Sequence, residues 1–180
     1  MICMGVLNSA AQEADLSSVF KAIGAMQSAQ TNEAVQVADF RAMRALLPNS
    51  IGGYKRKESG GEKTSFMGIT TSYAEGRYEQ GEARMTVKMT DYGGTGLAGM
   101  LAAAWTMSEV DRETETGFER TVDISGHRAL EKFDHSARSG ELKILVADRY
   151  MVEISVYGGK PEDLRSAAEA IPVQKLAELK

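Results

Sequence analysis

Residues 83–91 read ARMTVKMTD, and they run directly into YGGTGLAG at residues 92–99. Apolar side chains at the odd positions from 83 to 89 alternate with polar ones at the even positions. This pattern predicts a strand with one buried and one solvated face. Such strands are typical of antiparallel sheets, whereas strands of parallel sheets are usually buried on both faces. The strand and the glycine-rich turn after it therefore decide the fold class.

Gly94, Gly96 and Gly99 reproduce the spacing of the dinucleotide-binding fingerprint. That fold requires a buried parallel strand before the glycines, and after the helix a second buried strand that ends in an acidic residue. Here the preceding strand is half exposed, and residues 108–117 are polar where the second strand should lie. The context of these glycines therefore argues against a dinucleotide site.

We interpret Gly93–Gly99 as a turn that leads into a buried helix. Asp91 is placed to cap this turn. Residues 97–107 are apolar on nearly all sides, which predicts a helix with little contact with water. Glycines about one helical turn apart would let this helix approach the sheet closely. The alternative is that the turn forms a cofactor site.

Period-two alternation also appears in five other stretches, which are predicted to be strands: 65–79, 114–124, 128–134, 142–146 and 152–156. In the first of these, Met67, Ile69, Thr71 and Tyr73 share one face, and a register change is predicted near Ala74.

Two helices flank the strands. Asp39 is predicted to cap a helix that carries Phe40, Met43 and Leu47 on one face and ends before Pro48. The last helix is predicted to begin at Pro161. Because the strands follow one another in runs, the chain is predicted to be α+β, with an antiparallel sheet of about six or seven strands packed by helices.

The first part of the chain is predicted to be a separate arm. Residues 14–29 have helical apolar spacing, so 1–31 are interpreted as an N-terminal helical arm and 32–180 as a single α+β domain. The opening residues run into Ser9-Ala-Ala-Gln12, which resembles the end of a secretory signal. Two interpretations stay open: a shortened signal peptide, or the start of a helix. No segment reaches the roughly 18 apolar residues of a membrane span.

Composition limits the function classes. The 180-residue chain has a net charge of −4 and no cluster of basic residues, which argues against a nucleic-acid partner. Cys3 is its single cysteine, so the chain forms no internal disulfide. We expect no cofactor.

Candidate chemical groups are sparse in the sequence. His127 and His135 are not accompanied by a ligand set, so no metal site is predicted. The alternating acidic residues of 109–115 are interpreted as a solvated strand edge rather than a calcium site. No residue is predicted to be catalytic. Four aromatic residues could line a pocket between helix and sheet, with ordinary core packing as the alternative: Tyr73, Tyr78, Tyr92 and Trp105.

Several segments resemble a family of uncharacterised bacterial proteins that are usually exported and often lipoprotein-like. The similar stretches are Leu46-Leu-Pro-Asn-Ser-Ile-Gly-Gly-Tyr-Lys55, Gly93 through Trp105, Glu113 through Thr121, and Gly140 through Glu153. The resemblance implies export, or a periplasmic location, but no activity. Cys3 lacks an upstream lipobox, so lipidation is not implied. The element order is also similar to the PsbP-like α+β fold.

Together these observations predict a non-enzymatic, exported or periplasmic domain that binds a protein partner or a small ligand. The alternative is a small enzyme or cofactor-binding protein that uses the Gly93–Gly99 turn, and a cytoplasmic location is the alternative to export. A third alternative is self-association through residues 14–29 or through the apolar helix 97–107.

Overall fold

The computed structural model of the chain describes residues 36–66, 69–93, 100, 103–104 and 109–179. Helices and strands within these residues are, in chain order: α1 (Phe40–Ala45), β1 (Ser50–Ile51), β2 (Tyr54–Phe66), β3 (Ile69–Gln80), β4 (Ala83–Asp91), β5 (Asp111–Thr114), β6 (Gly117–Ile124), β7 (His127–Asp134), β8 (Ser139–Val146), β9 (Tyr150–Tyr157), α2 (Pro161–Ala170) and α3 (Val173–Ala177).

The strands of the described residues form one antiparallel sheet of nine strands, in the order β1-β2-β3-β4-β9-β8-β7-β6-β5. Strands β1 to β4 form a meander that runs from one edge of the sheet to its centre. The chain then crosses to the opposite edge, and β5 to β9 form a second meander that returns to the centre. There β9 pairs with β4, with Val87 opposite Ile154. The predicted α+β class with an antiparallel sheet is therefore confirmed.

The predicted strand number of six or seven is wrong, because the sheet has nine strands. Residues 54–80 form the two strands of a long hairpin, where the sequence predicted a single strand over 65–79. In addition, β1 has only two residues and β5 is exposed along its whole length, so neither carries an apolar pattern. The helices α1, α2 and α3 are short, which corrects the predicted PsbP-like arrangement of a sheet packed by helices. Residues 100 and 103–104 are also helical, but they are exposed, so the prediction that helix 97–107 is buried is wrong at these positions.

One face of the sheet carries the core. Met85, Val87 and Met89 of β4 are buried there, as their alternation predicts. The neighbouring strands and the three helices complete the cluster, with Leu164 of α2 and Leu176 of α3 fully buried. Complete burial of each such side chain contributes about 1.5–3 kcal/mol to folding.

The buried side of β3 consists of Ser72, Ala74, Gly76 and Tyr78, and the pairing with β4 is continuous past Ala74. The predicted register change is therefore wrong. Small residues make room for Tyr78, whose ring would lie 3.0 Å from a Cβ at position 76. Its hydroxyl donates to the carbonyl of Pro48 at 3.0 Å, which satisfies the polar end of the buried side chain.

α1 begins as predicted, since Asp39 Oδ1 accepts the N–H of Arg41 at 2.8 Å. Met43 is its buried residue. The Phe40 ring lies over Gly61 of β2, where a Cβ would come within 2.7 Å of it. A side chain at position 61 would therefore push α1 away from the sheet.

The opposite face of the sheet is lined by charged side chains of alternating sign. Directly paired charged residues on this face have opposite charge, which stabilises a sheet surface in water. The pairs in register are Glu58–Arg77, Lys55–Glu79, Glu79–Arg84, Glu75–Lys88, Lys88–Glu153, Lys143–Glu153, Lys132–Glu141, Glu119–Lys132, Arg112–Glu119 and Asp123–Arg128. We call this surface the charged face.

Asp91 is a fully buried carboxylate at the end of β4. Arg149 binds it through both oxygens, with Nε at 2.8 Å and Nη2 at 2.7 Å. The backbone N–H groups of Ala38 and Gly93 each donate to it at 2.7 Å. Asp91 thus caps the glycine turn as predicted, and it also fixes the chain before α1.

Glu131 of β7 is a second fully buried carboxylate, between two arginines. Arg120 of β6 donates to it at 2.9 Å, and Arg165 of α2 donates to both its oxygens at 3.1 and 3.0 Å. Burial by itself would raise the pKa of Glu131, but the hydrogen bonds from Arg165 and Arg120 outweigh it and hold the pKa below its usual value. This ionic cluster connects α2 to the sheet.

Residues 34–180 form one compact unit. The predicted helical arm, 1–31, lies outside the described residues, so the proposed domain boundary stays a prediction. Among the helices of the described chain, none has the length and apolar character needed to cross a membrane.

Candidate functional site

A polar cleft lies at one end of the sheet, where three turns and the start of α2 meet. It has a volume of about 410 Å³. Its walls come from the start of β2, the β3–β4 turn, the β7–β8 turn and the segment between β9 and α2. The lining residues are Tyr54, Gln80, Glu82, Ala83, Arg138, Gly158, Gly159, Lys160 and Asp163. We call it the end cleft.

Tyr54 and Asp163 form the most buried part of the end cleft. Tyr54 is 2% exposed, and its hydroxyl donates to Asp163 Oδ2 at 2.9 Å. The same oxygen accepts the backbone N–H of Lys160 at 2.9 Å, which satisfies the beginning of α2. Asp163 therefore holds the first turn of the helix and the tyrosine in one arrangement.

The Tyr54 hydroxyl is a poor acid in this environment. Burial, the hydrogen bond to Asp163 and the negative charge of Asp163 raise the pKa of Tyr54 to about 12, although the charge of Arg138 acts in the opposite direction. The phenol stays protonated at neutral pH. It can donate a hydrogen bond, but it cannot act as a general base there.

Two glycines let the backbone pass close to this pair. Gly158 has a φ of +74°, a left-handed conformation that favours glycine. A Cβ at Gly159 would lie 2.7 Å from Asp163 Oδ2 and 2.8 Å from the Tyr54 hydroxyl oxygen. The chain between β9 and α2 can therefore take this path only without a side chain at position 159.

Arg138 occupies the β7–β8 turn with a φ of +49°, an unusual conformation for a residue other than glycine. Its Nη2 donates to the carbonyl of Gly158 at 2.7 Å. This bond fixes the guanidinium at the rim of the end cleft. Ser125, Ala147 and Asp148 have the same left-handed conformation, also in turns between neighbouring strands, and it costs of order 1 kcal/mol for a residue other than glycine.

The end cleft contains charges of both signs. Among the ion pairs formed within the described chain, none involves Arg138, Lys160 or Glu82. Asp163 is already engaged by two donors. The charged side chains of the lining are thus two cations and two carboxylates, and the Gln80 amide lies beside them.

Among the aromatic residues predicted to line a pocket, Tyr78 lies on the opposite side of the sheet from Tyr73 and Tyr92. Tyr78 is buried in the core, whereas Tyr73 is half-buried on the charged face, where Lys88 Nζ lies 4.9 Å from its ring centroid. Tyr92 packs against Leu145 and Met151 on that same side of the sheet. Trp105 lies outside the described residues, as do the predicted cofactor-binding glycines 94, 96 and 99.

The histidines are separate from each other and from the end cleft. His135 packs its ring on Phe133 and Phe118, with centroids 5.4 and 6.0 Å apart, and His127 begins β7. Within the part of the chain that the structure describes, no group of acidic, histidine or cysteine residues is arranged to hold a metal ion. The acidic stretch before residue 115 includes β5, an exposed strand at the edge of the sheet, as predicted.

Comparison of the chain with protein-family models, curated proteins and solved structures finds no match. The resemblance to exported bacterial proteins therefore stays a prediction.

Sequence reasoning did not find the residues of the end cleft. Tyr54, Glu82, Arg138 and Asp163 belong to four separate segments and share no motif. One signal was present: in an antiparallel meander, alternate turns lie at the same end of the sheet. The β3–β4 and β7–β8 turns therefore had to converge, once the strand order was known.

Proposed function

We propose that this protein is a non-catalytic binding protein that holds a small polar ligand in the end cleft. The observation that carries the proposal is the position of Arg138, whose guanidinium is held by the Gly158 carbonyl beside a cleft lined by Tyr54, Asp163 and Gly159. The volume of about 410 Å³ falls within the range of small-molecule sites.

The chemistry of the lining favours binding over catalysis. The lining contains no serine, threonine, cysteine or histidine, and its groups of nucleophile or base type are Lys160, Glu82 and Asp163. The phenol of Tyr54 stays protonated, and Asp163 is held by two donors. These groups suit the recognition of a ligand by hydrogen bonds and charge.

The charged face gives weaker support for a partner surface. Its side chains are already paired with one another, as in the contact of Lys143 Nζ with Glu141 at 3.1 Å. A charged partner would have to compete with these pairs. Export also remains part of the proposal, and sequencing the N-terminus of the mature protein from its native source would test it.

The experiment is a fragment screen followed by two-dimensional NMR of ¹⁵N-labelled protein. We expect at least one polar fragment to shift the amide signals of Gly158, Gly159 and Lys160 in a saturable way. Ala83→Phe should fill the end cleft and abolish these shifts. Ala45→Phe, at an exposed position of α1, is the matched control and should leave them unchanged. The proposal fails if no fragment shifts the cleft signals, or if a folded Ala83→Phe protein binds as the wild type does.

A further inference from the structure

The cations of the end cleft define the chemistry of its ligand. Arg138 uses Nη2 to bind the Gly158 carbonyl, and this is a neutral partner that leaves its charge uncompensated. Lys160 donates its backbone N–H to Asp163, while its ammonium group takes part in no ion pair within the described residues. Arg138 and Lys160 thus both line the cleft, beside the carboxylates of Glu82 and Asp163, and neither cation forms an ion pair within the described residues.

Asp163 also lines the cleft, and within the described residues it forms no ion pair with either cation. Its Oδ2 accepts from the Tyr54 hydroxyl and the Lys160 N–H, two neutral donors that hold the carboxylate in place without neutralising its charge. At the start of α2, Pro161 has no N–H to offer, and the N–H groups of Lys160 and Asp163 donate to partners within the first turn. The side chains of Arg138 and Lys160 are therefore the cationic groups that an anion would meet.

The guanidinium of Arg138 is held in place at both ends. The turn fixes its backbone, and the bond to Gly158 fixes its head, so little rotamer entropy is lost when a ligand binds. The electrostatic influence of Arg138 on Tyr54 places its charge near the hydroxyl at the bottom of the cleft. An anion bound to Arg138 would thus lie near a phenol that can donate to it only by leaving Asp163.

We infer that the ligand of the end cleft presents an oxyanion, a carboxylate or a phosphate, to Arg138 and Lys160. The inference rests on the proposed function and adds the ligand class. Arginine matches both oxyanions through its planar array of N–H donors, and such charge-assisted bonds are the strong ones. Glu82 and Asp163, the carboxylates of the lining, would select for ligands that also carry an amine or a hydroxyl group.

The test uses four probes at equal ionic strength: sodium phosphate and sodium L-glutamate as oxyanions, choline chloride as a cation and glycerol as a neutral molecule. Binding is followed through the amide signals of Gly158 and Gly159. We expect saturable shifts with phosphate or with glutamate, and the preferred probe distinguishes a phosphate from a carboxylate ligand. Choline and glycerol should cause no saturable shift.

Variants test whether oxyanion binding depends on the positive charge of Arg138. Arg138→Gln should weaken oxyanion binding about tenfold or more, since it removes a charge-assisted contact. Arg44→Gln, an exposed arginine of α1, is the matched control and should bind as the wild type does. Because position 138 is exposed, the variant is expected to fold, which its NMR spectrum checks.

The inference is overturned if Arg138→Gln binds phosphate and glutamate as tightly as the Arg44→Gln control. It is also overturned if choline or glycerol binds the cleft while both oxyanions do not, a result that would leave the proposed binding function intact. If neither these probes nor the fragment screen shifts the cleft signals, both proposals fail.

Discussion

The hydroxyl of Tyr54 and the Oδ2 atom of Asp163 lie 2.9 Å apart, although the two residues are 109 positions apart in the chain. This bond joins the first long strand of the sheet to the first turn of α2. The end cleft exists because the backbone of Gly158 and Gly159 passes over this pair.

Gly159→Ala tests the close approach. The new methyl group would lie 2.6 Å from Val156 Cγ2 and 2.7 Å from Asp163 Oδ2. We expect a loss of about 1–3 kcal/mol in the free energy of unfolding, measured by urea denaturation. Gly60→Ala is the control, because a Cβ there meets no atom within 4 Å. Equal stability of the two variants would contradict the described path of the chain.

The titration of Tyr54 should appear in the stability of the protein at alkaline pH. Its pKa is about 12 in the folded protein and 10.0 as a free side chain. Because folding raises this pKa, the stabilising contribution of the protonated Tyr54 hydroxyl to the free energy of unfolding is fully present below pH 10. It is lost as the pH rises to about 12. Tyr54→Phe should lack this component. The difference in unfolding free energy between the two proteins should therefore shrink over that interval, and a constant difference would argue against the raised pKa.

Asp91→Asn should lower the free energy of unfolding more than Glu131→Gln or Glu58→Gln does. It removes a buried charge from Arg149 and weakens the contacts with two backbone N–H groups, so we expect a loss of about 3 kcal/mol. Glu58→Gln breaks the exposed pair with Arg77 and should cost about 0.5 kcal/mol or less. Arg149→Met combined with Asp91→Asn should cost less than the sum of the single losses, as coupled residues do.

Glu131→Gln should be destabilising at neutral pH and less so in acid. The lowered pKa of Glu131 means that its contribution is present above its ordinary value of 4.5 and is lost as the pH falls through the folded value. We expect a loss of roughly 2 kcal/mol at pH 7, and a smaller difference from the wild type below pH 4.5. Glu141→Gln, which loses only a partly exposed contact with Lys143, should show no such dependence.

The β8–β9 turn offers a stabilising change. Ala147 and Asp148 have φ values of +53° and +50°, which asparagine and glycine tolerate better. The double substitution Ala147→Asn and Asp148→Gly should add about 1 kcal/mol to the unfolding free energy. Ala137→Gly, at a position without positive φ, should not stabilise the protein. A gain from this second change would contradict the explanation.

The sequence predicted elements whose apolar pattern is strong, and it failed where the pattern is weak. Alternation identified β4 because Met85, Val87 and Met89 all face the core, and Asp39 marked the beginning of α1. β2 was only partly foreseen, because most of its residues are exposed. The buried side of β3 is made of serine, alanine and glycine, and Tyr78 is the large side chain on it.

The residues of the end cleft could not be predicted from the sequence, for a different reason. A glycine pair before a proline is an ordinary start of a helix, and an arginine in a turn is an ordinary surface residue. Their role in the cleft depends on Tyr54, which lies in β2, and on Glu82, which lies in the β3–β4 turn. Only the order of strands, with β9 returning to the middle, brings these segments to one end.

The pairing of β4 with β9 has a consequence for how the molecule folds. Each half of the sheet is a meander of neighbouring hairpins that can form by local contacts. The two halves join only when residues 84–91 meet residues 150–157, and the bond of Arg149 to Asp91 closes a separation of 58 positions at the end of that seam. The chain entropy of closing this loop must be lost before the hydrogen bonds between β4 and β9 can form. Pairing of the two halves should therefore be the rate-limiting step of folding. The ion pair between Asp91 and Arg149 connects the two halves and should slow unfolding.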